Sequence, residues 1–115
     1  MIKSEGKIQQ EIVMWFRNNY CLYHHTPKCL IFSVPNERKD AREMMSMKAT
    51  GLLSGVSDLI VIIPNEVLFI EVKTDTGKQS EPQKMFEKDV KGLNFFYHVV
   101  RSLDDFKEII QKKVG

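Results

Sequence analysis

The chain lacks most of the features that would assign it to a class at a glance. Two cysteines in 115 residues, Cys21 and Cys29, are too few for a disulfide framework. They are expected to remain thiols in the reducing cytoplasm of a bacterial or phage-infected cell, or in another intracellular setting. No apolar run approaches the roughly 20 residues of a membrane span, and the opening MIKSEGKIQQE does not resemble a secretory leader. There is no internal repeat, no low-complexity tract and no interdomain linker, so residues 1–115 are expected to form one domain around one core. Nor is there a dominant charge: 17 Lys and Arg against 15 Asp and Glu leave a formal net charge of +2. A nucleic-acid footprint, if present, must come from local clustering.

What is there is patterned. Ser4 is placed to cap a helix running to Asn18 or Asn19, with Ile8, Ile12, Trp15, Phe16 and Tyr20 at helical spacing. Cys29–Val34 (CLIFSV) reads as a short strand. Residues 35–57 are polar, basic and punctuated by glycine; they suit a functional loop that holds a short helix around Ala41–Lys48. Two β-branched runs follow, Asp58–Ile63 and Val67–Lys73, joined at Pro64-Asn65 as a hairpin. Ser80 caps a second long helix, with Pro82 in its first turn, running to Val90 or Lys91. Leu93–Val100 (LNFFYHVV) reads as a further strand, and Ser102 caps a last helix whose stripe is Leu103, Phe106, Ile109 and Ile110. The order α-β-β-β-α-β-α predicts an α/β fold, a mixed sheet flanked by helices.

The hairpin carries an anomaly. Its middle is greasy, yet its open ends hold Asp58 on one side and Glu71 and Lys73 on the other. Glu71 and Lys73 share a face because side chains alternate along a strand. A two- or four-residue turn at Pro64-Asn65 pairs residues whose numbers sum to 129 and sets Asp58 across from Glu71, with Cβ atoms roughly 5 Å apart. A three-residue turn centred on Asn65 would instead put the acids on opposite faces. The even-numbered turn is the expected one. Two carboxylates that close raise each other's pKa unless a cation lies between them. Mg²⁺ or Mn²⁺, held by Asp58, Glu71 and the Val72 carbonyl, is the expected occupant. Lys73 would then hold a water nucleophile or stabilise charge developing on a phosphate. By spacing alone, the same residues also fit a solvated strand end with a Glu-x-Lys pair.

A helical wheel puts Glu5 near the middle of the apolar sector of the first helix, with Gln9 beside it, while Glu11 falls outside near Lys7. A core-facing carboxylate needs a partner; an exposed first-turn acid needs only the helix dipole. Both readings are open for Glu5.

Glu5 with Gln9, Gly55-Val56-Ser57-Asp58-Leu59, Glu71-Val72-Lys73, and Gly77 through Gln83 together resemble the PD-(D/E)XK nuclease superfamily. Within it the pattern is most similar to the virus-type replication-repair nuclease (VRR-NUC) domain. The resemblance spans Glu5 to the final helix and implies a restriction-endonuclease-like fold. It also implies a Mg²⁺- or Mn²⁺-dependent, structure-specific DNA endonuclease, including resolvase-like homodimers. Asp58 and Glu71 would be metal ligands, Lys73 the catalytic lysine, Glu5 the first-helix acid and Gln83 the glutamine beside the site; Glu11 is the alternative first-helix acid. Ser57 departs from the family, whose members often have proline there, but the chemistry does not depend on that proline. Arg38, Lys39, Arg42, Lys48, Lys78 and Lys84 would line a path for phosphates, although each is interspersed with acids and also fits ordinary surface charge. The competing reading is a catalytically silent DNA-binding or scaffold subunit of the same fold. The spacing C-x2-H-H-x3-C of Cys21, His24, His25 and Cys29 resembles a zinc set, but Pro27 and the adjoining strand favour buried thiols and surface histidines. Met44, Met45 and Met47 are expected to fill a core or a dimer contact.

Overall fold

The computed structural model describes residues 2–35 and 41–114. Eight elements follow one another: α1 (Glu5–Tyr20), β1 (Leu30–Ser33), α2 (Ala41–Ala49), β2 (Leu59–Ile63), β3 (Glu66–Val72), α3 (Glu81–Gly92), β4 (Phe96–Val100) and α4 (Leu103–Val114). The expected order is therefore present, and the short helix anticipated around Ala41–Lys48 inside the loop segment is α2.

The strands form one four-stranded sheet in the order β1-β2-β3-β4. β1, β2 and β3 run antiparallel, and β3 and β4 run parallel. A hairpin can join antiparallel neighbours, but a parallel pair needs a long crossover, and α3 supplies it. Asn65 adopts a left-handed backbone (φ 62), which Asn tolerates and which tight hairpin turns demand. The register pairs Ile63 with Glu66 and Leu59 with Ile70, so the numbers sum to 129 and the turn is the even-numbered one.

Alternation sorts the sheet into two faces. Leu59, Val61 and Ile63 of β2, Leu68, Ile70 and Val72 of β3 and Val100 of β4 meet Ile8, Ile12 and Phe16 of α1 and Phe106 and Ile110 of α4 in one core. The Phe16 and Phe106 rings stand edge to face with centroids 5.9 Å apart, a geometry favoured by the ring quadrupoles. On the opposite face, Phe86 of α3 packs edge-on to Phe69 (5.6 Å) and Tyr97 (6.1 Å). This second, thinner layer holds the anomalous end of the hairpin.

The caps follow the sequence. Ser4 Oγ accepts from Lys7 N at 3.1 Å, Ser102 Oγ from Asp105 N at 3.1 Å, and Ser80 forms a reciprocal capping box with Gln83. Most strand boundaries move by a residue, and that of β4 moves by three. Leu93–Phe95 is not strand, because Leu93 is the C-cap of α3 and Asn94 turns left-handed (φ 68). Phe95 N then donates back to Val90 O at 3.1 Å. Helix termination consumes these residues before β4 begins.

Candidate active site at the open end of the hairpin

The burial pattern of β3 breaks its own rule. Leu68, Ile70 and Val72 are buried on the core face, but Glu71, on the other face, is also fully buried (0% exposed), and Lys73 is 8% exposed. Charged groups are seldom buried without a reason.

Asp58 is fixed by backbone geometry. β2 ends at Leu59, so the Val72 N–H that points toward β2 has no ladder carbonyl to meet. Asp58 Oδ2 accepts it instead, at 2.7 Å, and the Asp58 carbonyl accepts from Val34 N at 3.0 Å. The carboxylate thus takes the place of the next rung and is held beside Glu71, which follows Ile70 in the continued register. The loop before it is equally constrained. Ser57 is buried and donates to Leu59 O at 3.3 Å. Gly55 has φ +83, and a Cβ there would run into the Pro82 carbonyl and lie 2.7 Å from Gln83 N. Gly55 therefore seats the loop directly on the first turn of α3. Gly55→Ala is expected to cost about 2–4 kcal/mol, combining backbone strain with a clash. Urea denaturation checks this, and a loss below about 0.5 kcal/mol, the level of an ordinary surface change, would contradict the seating.

The electrostatics of the pair are lopsided. Burial pushes the Glu71 carboxyl up to about 8, with the neighbouring Asp58 charge adding to the rise, the Lys73 ammonium opposing it and Glu5 adding further. Burial also raises Asp58, against the lowering influence of the Val72 N–H and Lys73. Lys73 Nζ lies 3.8 Å from Glu71 Oε2, a loose pairing. Both Glu71 oxygens are buried without a hydrogen-bond partner. An unsatisfied buried carboxylate is costly, and a hard divalent cation is the group that satisfies two such oxygens beside a second acid. By this test, Asp58 and Glu71 fit a metal. Among the described residues, no three His, Cys, Asp or Glu side chains gather as a metal-holding group.

The other expected site residues fall in different places. Glu5 is exposed in the first turn of α1, not core-facing as the wheel suggested. The wheel measures angle only, and the exposed first-turn position, the other reading left open, is the one the fold adopts. Its charge nevertheless reaches Glu71. Glu11 is paired with Lys3 at 2.8 Å. The Gln83 Oε1 accepts from Ser80 N at 2.8 Å, so that oxygen is engaged in capping α3. Arg42, Lys48, Lys78 and Lys84 are exposed, and Lys84 meets Glu81 at 3.3 Å. Arg38 and Lys39 lie outside the described residues. Cys29 is buried and Cys21 half-buried, both as thiols, with burial raising their pKa values. His25 Nδ1 accepts from Leu22 N at 2.9 Å. Met45 is 74% exposed and so is not a core residue; the Met44 side chain lies outside the described set.

Two residues not singled out in the sequence also adjoin the site. Tyr97 is buried, and after burial itself the Glu71 charge is the main influence raising its hydroxyl pKa. The Gln79 amide donates to Tyr97 Oη at 3.4 Å and to Glu87 Oε1 at 3.0 Å. The only sequence signal for Tyr97 is strand alternation, which becomes informative once β4 is known to pair with β3 in the register Phe69–Tyr97.

The family model of the VRR-NUC domain matches residues 3–104. A solved structure described as a VRR_NUC domain protein superimposes with a TM-score of 0.76 at 19% identity, over 97% of this chain and 88% of that one. At that identity the likeness speaks for the fold. Among curated proteins, none matches this chain.

Proposed function

The chain belongs to the VRR-NUC family, and on that premise we propose that it is a divalent-metal-dependent endonuclease that hydrolyses phosphodiester bonds in branched or otherwise structured DNA. The observation that carries the reading is the pair of partnerless, buried Glu71 oxygens set beside Asp58 and within 3.8 Å of Lys73. A scaffold has no use for a carboxylate held in this condition, since an apolar residue of similar size would serve the core better.

In this reading each residue has its own part. Asp58 and Glu71 would hold Mg²⁺ or Mn²⁺, with the Val72 carbonyl as the expected third protein ligand. When bound, the cation supplies neutralisation of both carboxylates and polarisation of a phosphate oxygen. Lys73 sits on the same face and offers its ammonium to a water nucleophile or to the charge developing on phosphorus. Glu5, exposed near the mouth, orients water toward the site. Gln83 lies at the first turn of α3, and its amide nitrogen, not used in the capping box, would be available to substrate. Arg42, Lys48, Lys78 and Lys84, together with Arg38 and Lys39, contact DNA phosphates without reading sequence. A homodimer would present two such sites, suited to cutting both strands of a branched substrate.

The test is direct. Purified protein with labelled junction, flap and linear duplex DNA is expected to cut in Mn²⁺ or Mg²⁺ and not in EDTA; a preparation that cuts none of them with either metal sinks the proposal. A second readout is independent of turnover. Mn²⁺ at about a hundred times its Kd adds about 2.7 kcal/mol to folded stability. Thermal melting at pH 8 should therefore shift upward with metal and return with EDTA. Asp58→Asn should abolish the shift, and an equal shift in that variant would place the metal elsewhere.

A further inference from the structure

The segment Thr74–Gln79 (TDTGKQ) joins Lys73 to the cap of α3 and has no regular structure. A polar connector of this kind is ordinarily mobile, yet it follows directly on the residue whose placement the proposed chemistry requires. Here it is tied down by one atom. Arg101 Nη1 shares its two hydrogens among three acceptors, the Thr74 carbonyl at 2.6 Å, the Gly77 carbonyl at 2.8 Å and, more weakly, the Asp75 carbonyl at 3.3 Å. The backbone of Arg101 is itself held, since its N–H donates to Asp105 Oδ2 at 2.9 Å in the first turn of α4. The residue before it, Val100, accepts from Lys73 N at 3.0 Å.

The loop closes over the lysine. Gly77 N donates to Thr74 O at 3.1 Å. A Cβ on Gly77 would lie 3.1 Å from Thr74 Oγ1 and 3.5 Å from Lys73 Cδ. The Gly77 backbone thus runs beside the stem of Lys73, with room between them for no more than about one methyl group. We propose that Arg101 is a positioning residue: it folds the 74–77 turn onto the Lys73 stem and so keeps the ammonium at the mouth of the Asp58–Glu71 pair. Arg101 does not touch the reacting atoms and acts through Lys73. The inference rests on the nuclease reading for its purpose, but the clamp itself is testable without turnover.

The experiment compares Arg101→Met with Arg101→Lys. All three contacts come from one nitrogen, and a lysine ammonium, one bond shorter but with three hydrogens, should recover part of the clamp where methionine recovers none. The first readout is competitive amine labelling followed by mass spectrometry, with exposed Lys112 as the internal reference. Labelling of Lys73 should rise about fivefold or more in Arg101→Met, on the order expected when a local structure is released, and rise less in Arg101→Lys. The second is steady-state cleavage. A displacement of about 1 Å can cost about 10²-fold, so kcat should fall at least tenfold in Arg101→Met at unchanged KM and recover in part in Arg101→Lys. Unchanged Lys73 labelling in a folded Arg101→Met overturns the clamp, as does equal labelling in both variants. If Arg101→Met fails to fold, Arg101→Gln, which also lacks the reach to all three carbonyls, is read in the same way. A wild type that cuts no DNA while labelling still responds to Arg101 defeats the nuclease reading and leaves the clamp standing.

Discussion

Lys73→Met is expected to lower kcat for DNA cleavage by about 10²–10³-fold, the usual cost of removing a group that stabilises charge in a transition state, while DNA affinity changes little. Lys73 is nearly buried and its nitrogen faces Glu71 at 3.8 Å, so it adds little to a surface for phosphates. Under the proposed mechanism it would act only at the reacting centre, so the effect is expected in kcat and not in KM. Single-turnover cleavage with Mn²⁺, alongside a binding titration in Ca²⁺, separates the two. A Lys73→Met enzyme within tenfold of wild type, or one whose whole loss lies in binding, would remove lysine from the chemistry.

Glu71→Gln should remove the fall in stability between about pH 4.5 and 8 that Glu71 causes in the absence of metal. The Glu71 carboxyl rises from 4.5 to about 8 in the fold. Between those values the folded chain keeps a proton that the unfolded chain has released, so wild-type stability falls as pH rises through this window and levels off above it. Burying the charge at pH 9 then costs on the order of 3–5 kcal/mol. Glutamine carries no such charge. The variant should match wild type near pH 4.5, gain on it steadily, and exceed it by that amount at pH 9. Chemical denaturation in EDTA across pH 4.5–9 measures the difference, and parallel curves would show that Glu71 does not carry the buried proton. The same substitution should abolish cleavage, so the change that most stabilises the metal-free fold is also one that disables it. Such an opposition between stability and activity is expected where a site is held in a strained electrostatic state.

The hairpin was legible without coordinates because its determinants are local. A two-residue turn at Pro64-Asn65, the β-branched runs on either side and a side-chain period of two leave a single register that buries Leu59, Val61, Leu68 and Ile70 together. That register carries Asp58 to Glu71 as a consequence. The caps at Ser4, Ser80 and Ser102 were legible for the same reason: each is satisfied within three or four residues of chain. The VRR-NUC resemblance rested on these local features, and the family match covers the same span.

What only the tertiary structure decided involves residues distant in the chain. The wheel left Glu5 either core-facing or exposed in the first turn, and only the fold selected the exposed position. Gln83 matched a motif, yet its oxygen is engaged in closing a capping box, a competition settled by how α3 starts. Tyr97 and Arg101 enter because β4 returns parallel beside β3 after the α3 crossover. That pairing sets Val100 next to Val72 and brings a guanidinium 27 residues from Thr74 onto its carbonyl. Sequence alone determined that two acids and a lysine share one face of a buried hairpin. The crossover decided what encloses them, because no local pattern records which distant strand a loop must reach.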